Sequence, residues 1–262
     1  MSACTTSRNW WTAGRVTFRL EDRPLLGLLP LLLLGLLSCG SSGPPDLGES
    51  LSVLFIGNSL TYTENLPSLV EGLGRAADLD RVRVASVAKP DYSLEDHWND
   101  GEALDSIDRG GWDAVVLQQG PSSLPASQTH LLEWTGRFSE RIRAAGGRPA
   151  VYLVWPPADG NWDGVVAAYT AAAEGSDAVL LPAGRAWQAV LGAHPEVDLY
   201  GPDQFHPTRA GAYLAALVIF GGLADRTAVG LTQHRPIDGL SDQTVSVLER
   251  AADEANRTYG RQ

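Results

Sequence analysis

The sequence predicts a three-layer α/β/α fold of the flavodoxin-like type, built on a five-stranded parallel sheet. Two observations carry this prediction. The first is the presence of five short apolar runs rich in Val, Leu and Ala. The second is that these runs alternate with stretches whose apolar residues recur at spacings of three and four, as they do in helices. Strands and helices that alternate in this way form right-handed βαβ units, and their helices cover both faces of a parallel sheet.

The five predicted strands are short apolar or alternating runs bounded by polar or turn-forming residues. They cover residues 51–56, 81–88, 112–120, 149–157 and 177–182. Pro90 follows the second run, and a proline pair closes the fourth. Because the runs are mostly apolar along their whole length, we expect strands that are buried on both faces.

The predicted helices lie between the strands and after the last one. They cover residues 66–73, 93–98, 131–145, 165–173, 186–191, 208–223 and 241–256. Ser93 and Asp96 have the spacing of a capping box, with Asp in place of Glu. Thr208 is a plausible cap for the helix that it opens, and two glycines end the helix at 145.

Charge and cysteine content exclude several classes of function. The formal net charge is −11, and lysine occurs once, so no basic stripe exists to bind nucleic acid. This acidity favours a neutral or weakly charged substrate. Both cysteines, Cys4 and Cys39, lie in the first forty residues, so the folded domain has no thiol nucleophile and no disulfide framework. No metal-ligand spacing is present, and no metal or organic cofactor is expected.

Residues 1–38 have the pattern of an export signal. Four arginines precede a thirteen-residue apolar run, 25–37, which is too short to span the ~30 Å hydrocarbon core as a helix. The sequence 36–39, Leu-Leu-Ser-Cys, resembles the lipobox of bacterial lipoproteins, which implies cleavage before Cys39 and a lipid anchor on it. The alternative is an ordinary secretory signal or a loose membrane anchor. The expected location is extracytoplasmic, with membrane contact only through Cys39.

A serine follows the first predicted strand in a turn that suits a nucleophile. The sequence Gly57-Asn58-Ser59 joins a buried strand to a helix and exposes the serine at the carboxyl edge of the sheet. The helix that follows directs its N-terminal amides toward an anion formed there. A plain structural turn is the competing interpretation, so Ser59 alone is only a candidate.

An acid and a histidine lie three residues apart between the fifth strand and the helix at 208. In a turn, Asp203 can bind one ring nitrogen of His206, which leaves the other nitrogen free to accept a proton. A capping aspartate with a structural histidine is the alternative. Both candidate motifs fall at the carboxyl edge of the predicted sheet.

Together the two motifs resemble those of the SGNH/GDSL-type hydrolases, over roughly residues 51–225. The block 57–61, Gly-Asn-Ser-Leu-Thr, matches the nucleophile block, with Asn58 where many members have Asp. The block 203–207, Asp-Gln-Phe-His-Pro, matches the block that supplies acid and base. The resemblance implies the SGNH hydrolase fold, with Ser59 as nucleophile, His206 as general base and Asp203 as the residue that orients His206.

The middle motifs depart from that family. Asp91 stands where a glycine amide commonly contributes to the oxyanion hole, and 120–123, Gly-Pro-Ser-Ser, lacks the usual oxyanion-hole asparagine. Losing one such donor typically costs about 3 kcal/mol in the transition state. Gln119, slightly favoured, and Gln118 are the candidate replacements, and the Ser59 amide is a further donor.

Other polar and aromatic residues are weaker candidates. His97 is expected on a helix surface, and the remaining histidines have no acid partner at a suitable spacing, so they are interpreted as structural or solvated; these are His130, His194 and His234. Trp155 and the loop 159–162 could contact a sugar, although core packing explains a tryptophan equally well.

The sequence therefore predicts four regions and one activity. The regions are a signal at 1–38, a tether at 39–50, an SGNH-like domain at 51–225 and a C-terminal loop and helix at 226–262. The activity is hydrolysis of a carboxylic ester, with an acetyl ester on a glycan as the suggested substrate. A non-catalytic binding lipoprotein with this fold and an acyltransferase with the same three residues are the alternatives.

Overall fold

A computed structural model of the chain describes residues 50–231 and 237–260. The predicted signal, the tether up to residue 49 with Cys39, and His234 lie outside these residues, whereas Ser50, the last residue of the predicted tether, begins the first strand. The described part contains one sheet of five parallel strands in the order β2-β1-β3-β4-β5. This is the flavodoxin-like order, in which the strand order reverses after β2, so that β3 lies on the other side of β1. The predicted fold class is confirmed.

The strands end together at one edge of the sheet, which is where the candidate site lies. Their bounds are β1 Ser50–Gly57, β2 Arg81–Ala88, β3 Ala114–Leu117, β4 Arg148–Tyr152 and β5 Val179–Leu181. At the carboxyl edge Gly57 aligns with Ala88, while Ile56 aligns with Leu117 and Leu117 with Val151. Segments that leave β1, β2, β3 and β4 therefore start side by side.

Two groups of helices cover the sheet. The helices are α1 Ser59–Tyr62, α2 Leu66–Ala76, α3 Leu94–Asp100, α4 Glu102–Asp108, α5 Pro125–Ala144, α6 Trp162–Gly175, α7 Ala183–Ala193, α8 Arg209–Ala224 and α9 Asp242–Tyr259. The first group packs α2, α7, α8 and α9 together, and the second packs α3 to α6 together. Right-handed crossovers on either side of β1 place these groups on opposite faces of the sheet.

Several boundaries differ from the sequence-based predictions for local reasons. Helix α5 begins six residues early because Pro125 occupies its first turn and the Ser127 hydroxyl accepts the Leu124 amide hydrogen. Asn161 caps α6 through a bond from the Gly164 amide, so that helix also starts earlier. Helix α4 was not predicted. The tails of the predicted strands at 118–120 and 153–157 are loop segments.

The most apolar elements are those that other elements surround in the core. Every residue of β3 is buried, and α8 is buried along nearly its whole length because α2, α7 and α9 all pack against it. The predicted capping box of α3 and the Thr208 cap of α8 are both present. None of the helices in the described residues is long and apolar enough to cross a membrane.

Candidate active site

The turn after β1 presents Ser59 at the carboxyl edge of the sheet. Ser59 is the first residue of α1 and is partly exposed, between buried Asn58 and Leu60. The Asn58 carboxamide oxygen accepts the Leu60 amide hydrogen at 3.2 Å, and its nitrogen donates to the Tyr92 carbonyl at 3.1 Å. Asn58 therefore caps the helix and ties the turn to the loop after β2. Its side chain positions Ser59 and is not free for substrate.

Gln118, at the end of the neighbouring β3, makes three hydrogen bonds to the same turn and a fourth to the residue that follows it. Its carboxamide oxygen accepts from the Asn58 backbone amide at 2.9 Å and from the Thr61 hydroxyl at 2.7 Å. Its nitrogen donates to Asn58 Oδ1 at 2.9 Å and to the Gln119 carbonyl at 2.6 Å. The residue is fully buried, so the Asn58 amide and the Thr61 hydroxyl depend on Gln118 Oε1 as their acceptor.

Gly57 is required where this turn meets Gln118. A Cβ atom at position 57 would lie 2.3 Å from Thr61 Oγ1 and 2.4 Å from Gln118 Oε1. These groups are hydrogen-bonded to each other and buried, so neither can yield without losing a partner. The glycine is thus a packing requirement of the nucleophile turn.

Gly57→Ala is therefore expected to destabilise the protein by about 1–3 kcal/mol and to lower any Ser59-dependent activity. Gly136→Ala, in α5, is the matched control because no atom lies within 4 Å of its added Cβ. That control should leave activity unchanged and raise stability by up to about 1 kcal/mol. Thermal unfolding and initial rates measure both effects. Equal stability of the two variants would contradict this account of Gly57.

The acid and the histidine meet in the loop before α8. Asp203 Oδ2 lies 2.5 Å from His206 Nδ1, and Asp203 Oδ1 accepts the backbone amides of Phe205 and His206 at 3.1 and 2.9 Å. These bonds, chiefly the one from the ring, lower the pKa of Asp203 to about 2. A charged carboxylate accepts, so Nδ1 carries the proton and Nε2 keeps its lone pair for a base.

Contacts with the loop after β4 hold this histidine loop in place. Trp155 Nε1 donates to the Phe205 carbonyl at 3.0 Å, and the Ala158 amide donates to the Gln204 carbonyl at 3.0 Å. Within the loop, the Gly201 amide donates to the His206 carbonyl at 2.7 Å. His206 is consequently fixed beside the carboxyl end of β4.

The serine and histidine segments are joined by the start of α8. Arg209, three residues after His206, donates to the Glu64 carbonyl at 3.1 Å, and Glu64 lies five residues after Ser59. The structure shows the His206–Asp203 hydrogen bond, and no hydrogen bond joins Ser59 to His206 in the described residues. The Arg209–Glu64 hydrogen bond therefore links the two segments.

Comparison with solved structures identifies the architecture. A candidate SGNH hydrolase from Slackia heliotrinireducens matches with a TM-score of 0.57 and 26% identity, over 65% of this chain and 97% of the other. The fold is that of the SGNH hydrolases. A DUF4886 family protein from Bacteroides uniformis matches with a TM-score of 0.68 at 20% identity, over 81% of this chain and 96% of the other.

A lipase/acylhydrolase from Enterococcus faecalis matches with a TM-score of 0.53 at 16% identity, over 67% of this chain and 97% of its own. No protein-family profile matches the sequence, and no curated protein matches it either. The resemblance to SGNH/GDSL-type hydrolases that the two outer motifs indicate is confirmed by these structural matches.

The side-chain nitrogens of Gln118 and Gln119 both make contacts within the protein. Gln118 uses its amide hydrogens on Asn58 and Gln119, so the sequence-based suggestion of Gln118 as a replacement donor is not supported. Gln119 Nε2 donates to Ser122 Oγ at 2.9 Å and lies 3.5 Å from His130 Nδ1, while its oxygen accepts the Leu94 amide. Both side chains therefore stabilise the segments around the candidate site through hydrogen bonds.

The backbone amides of Ser59 and Asp91 remain as candidate donors to an oxyanion. The Ser59 amide belongs to the first turn of α1, where N–H groups have no intrahelical acceptor. Asp91, where many SGNH hydrolases have glycine, is exposed and has φ +60°, a conformation that glycine adopts readily. The loop therefore keeps a glycine-like backbone at this position although the residue is aspartate.

Predictions about three histidines were wrong. His97 is fully buried in α3, and its Nε2 lies 2.7 Å from the Gly57 carbonyl oxygen. His130 does have an acid partner, since its Nε2 lies 3.0 Å from Glu95 Oε2, thirty-five residues away along the chain. A spacing rule finds only local partners, so it missed both contacts. His194 lies 3.1 Å from Glu196 on the surface.

The segment from Trp155 to Trp162 has a part buried in the core and a part exposed to solvent. Trp155 is fully buried and stacks on Trp187 with ring centroids 3.5 Å apart, so it does not contact substrate. Trp162 is partly buried against the core, whereas most of the segment 157–161 is exposed beside the histidine loop. No group of three His, Cys, Asp or Glu side chains within the described ranges is arranged to hold a metal ion.

Burial lowers the pKa of His97, and the nearby Lys89 ammonium lowers it further. An unfolded chain therefore binds a proton at this histidine at a higher pH than the folded protein does, so folding loses stability as the pH falls below about 6.5. We expect His97→Gln, which cannot be protonated, to lose less stability than the parent between pH 8 and pH 5. Thermal unfolding across this range tests the difference, and parallel curves would contradict it.

Proposed function

We propose that this protein is a serine carboxylic ester hydrolase that acts through Ser59, His206 and Asp203. The observation that carries the proposal is the Asp203–His206 hydrogen bond in a loop that Arg209 ties to the Ser59 segment. A partly exposed histidine that an exposed carboxylate orients, in a loop tied to the segment of a serine at a helix start, fits the arrangement that acyl transfer requires. The SGNH fold supports the same reaction class.

In the proposed reaction, Ser59 Oγ attacks the ester carbonyl carbon while His206 Nε2 takes the hydroxyl proton. Asp203 stabilises the imidazolium that forms. When the tetrahedral intermediate collapses, the bond to the leaving oxygen breaks and His206 returns the proton to the departing alcohol. Water, activated by the same histidine, then cleaves the acyl-enzyme and releases the acid.

The proposed oxyanion hole uses backbone donors. The amides of Ser59 and Asp91 would bind the developing negative charge, because the carboxamides of Gln118 and Gln119 are bonded within the protein. The dipole of short α1 adds little, so these two N–H groups supply most of the stabilisation. Removing one such donor typically costs about 3–4 kcal/mol of transition-state stabilisation.

The proposed substrate is a small acyl ester, with acetyl on a neutral glycan as the specific suggestion. The predicted export signal supports an extracytoplasmic substrate, and the exposed segment 157–161 beside the histidine loop supports binding of a polar leaving group. The net charge of −11 disfavours polyanionic substrates. A lipid anchor at Cys39 would hold the enzyme at the membrane surface.

Acetate release from an acetylated neutral oligosaccharide tests the substrate, with p-nitrophenyl acetate and butyrate as general ester probes. We expect the protein to release acetate from the oligosaccharide and to hydrolyse p-nitrophenyl acetate faster than esters of long-chain acids. Activity confined to long-chain lipids would refute the glycan substrate. A product in which the acyl group moves to an added sugar acceptor would instead identify an acyltransferase.

A further inference from the structure

His97 lies directly beneath the nucleophile turn although it is not part of the proposed triad. It belongs to α3, whose first turn is fixed by the Ser93–Asp96 capping box. The residue is fully buried, and its Nε2 lies 2.7 Å from the carbonyl oxygen of Gly57. Its Nδ1 is buried and has no hydrogen-bond partner in the described part of the chain.

These contacts define the tautomer. A carbonyl oxygen only accepts hydrogen bonds, so Nε2 of His97 must carry the proton that it shares with Gly57. The Gly57 carbonyl also accepts the Lys89 backbone amide at 3.1 Å. Two donors from the segment that follows β2 thus converge on one oxygen at the end of β1.

The consequence is that the peptide unit between Gly57 and Asn58 is held at both ends. Its carbonyl is bound by His97 and Lys89, and its N–H is bound by Gln118 Oε1 at 2.9 Å. Only the φ and ψ angles of Asn58 separate this fixed unit from Ser59, and the Asn58 side chain is itself bonded on both sides. Any shift of the peptide unit is therefore passed on to the Ser59 hydroxyl.

The charges around His97 help to keep α3 in place. The Lys89 ammonium bonds Asp100, the last residue of α3, at 2.6 Å and Glu102 of α4 at 2.8 Å. The Tyr92 ring meets the His97 ring edge-on, with centroids 5.0 Å apart. The segment that follows β2 is thus tied to the helix that carries the histidine, and its Tyr92 ring packs against the His97 ring.

We propose that His97 is a positioning residue for the nucleophile, holding Ser59 in its reactive orientation through the Gly57 carbonyl. This inference rests on the proposed function, because it assigns His97 to the alignment of that serine. Reacting groups tolerate little displacement: an error of about 1 Å can cost about 10²-fold in rate. A buried donor one peptide unit away controls displacements of that size.

Three replacements at position 97 separate positioning from packing. His97→Gln can place its amide nitrogen near the position of Nε2 and still donate to Gly57. His97→Phe fills the volume without a donor, and His97→Asn has a donor that is too short to reach. His194→Phe is the matched control, since His194 is exposed at the end of α7 and pairs with Glu196.

Two kinetic measurements are made at pH 8. The first is the rate constant for inactivation by a fluorophosphonate. The second gives kcat and KM for p-nitrophenyl acetate, with kcat calculated per serine that the fluorophosphonate titrates. We expect His97→Phe and His97→Asn to lower the inactivation rate constant and kcat by about 10²-fold with KM within about twofold. His97→Gln should stay within about fivefold of the parent, and His194→Phe should match it.

Unfolding alone would reduce the number of titratable sites without changing the rate constant per site. That result, or equal rate constants for Gln and Asn at position 97, would overturn the positioning role. The Gln and Asn pair keeps the test valid if the Phe variant does not fold. If the parent protein does not react with the fluorophosphonate at Ser59, the proposed function fails and the role of His97 fails with it.

Discussion

Replacing Ser59 with alanine is expected to lower kcat on p-nitrophenyl acetate by at least about 10³-fold, and His206→Ala should have a similar effect. The reason is that serine and histidine act as one unit: the hydroxyl is a weak nucleophile without the base, and the base has nothing to activate without the hydroxyl. The double variant should be no slower than either single variant. Initial rates per folded protein measure all three.

Two comparisons make this test specific. Ser86→Ala removes an exposed hydroxyl from β2 and should retain full activity. Asp203→Asn presents a carboxamide to His206 Nδ1 and favours the wrong tautomer, so it should lose on the order of 10³–10⁴-fold. If Ser59→Ala and the parent hydrolyse the ester at the same background rate, and both are folded, a non-catalytic binding role on this fold replaces the esterase proposal.

Gln118→Glu is expected to destabilise the protein by about 3 kcal/mol and to lower kcat by about 10²-fold. The substitution keeps the size of the side chain but puts a second acceptor oxygen where Nε2 now donates. That oxygen would face Asn58 Oδ1 and the Gln119 carbonyl, at the present distances of 2.9 and 2.6 Å. Two acceptors without a proton between them repel each other in a fully buried site.

Gln188→Glu is the control for this change. Gln188 lies on α7, where its carboxamide oxygen accepts from Arg185 at 3.1 Å, so a carboxylate there keeps its partner. Chemical denaturation and ester hydrolysis on the two variants give the comparison. A Gln118→Glu protein as stable and active as Gln188→Glu would show that the hydrogen bonds of Gln118 do not hold the nucleophile turn.

The fold could be predicted because local sequence patterns agree with it throughout. Five apolar runs and the intervening helical spacings define the βαβ order, and the caps of α3 and α8 lie where Ser93 and Thr208 suggest. Helix α4 was missed because Gly101 ends α3 and also starts the next helix, with a φ of +86°. No apolar repeat separates two such short helices along the chain.

The site could be predicted only where its partners are close in sequence. Asp203 and His206 lie three residues apart, and their hydrogen bond was expected from that spacing. The role of Gln118 depends on the register of β3 against β1, sixty residues away, which the sequence does not encode locally. His97 was assigned to a helix surface because nothing near it in sequence indicates that α3 packs its histidine against Gly57.

Ser59 is proposed as a nucleophile that His206 activates. Formation of a covalent adduct on Ser59 is the most direct test of this role. The protein is incubated with a fluorophosphonate, and the modified peptide is identified by mass spectrometry. We expect one adduct per chain, on Ser59, formed at least about 10²-fold more slowly in His206→Ala. An unmodified Ser59 in folded protein, or labelling that does not depend on His206, would contradict it.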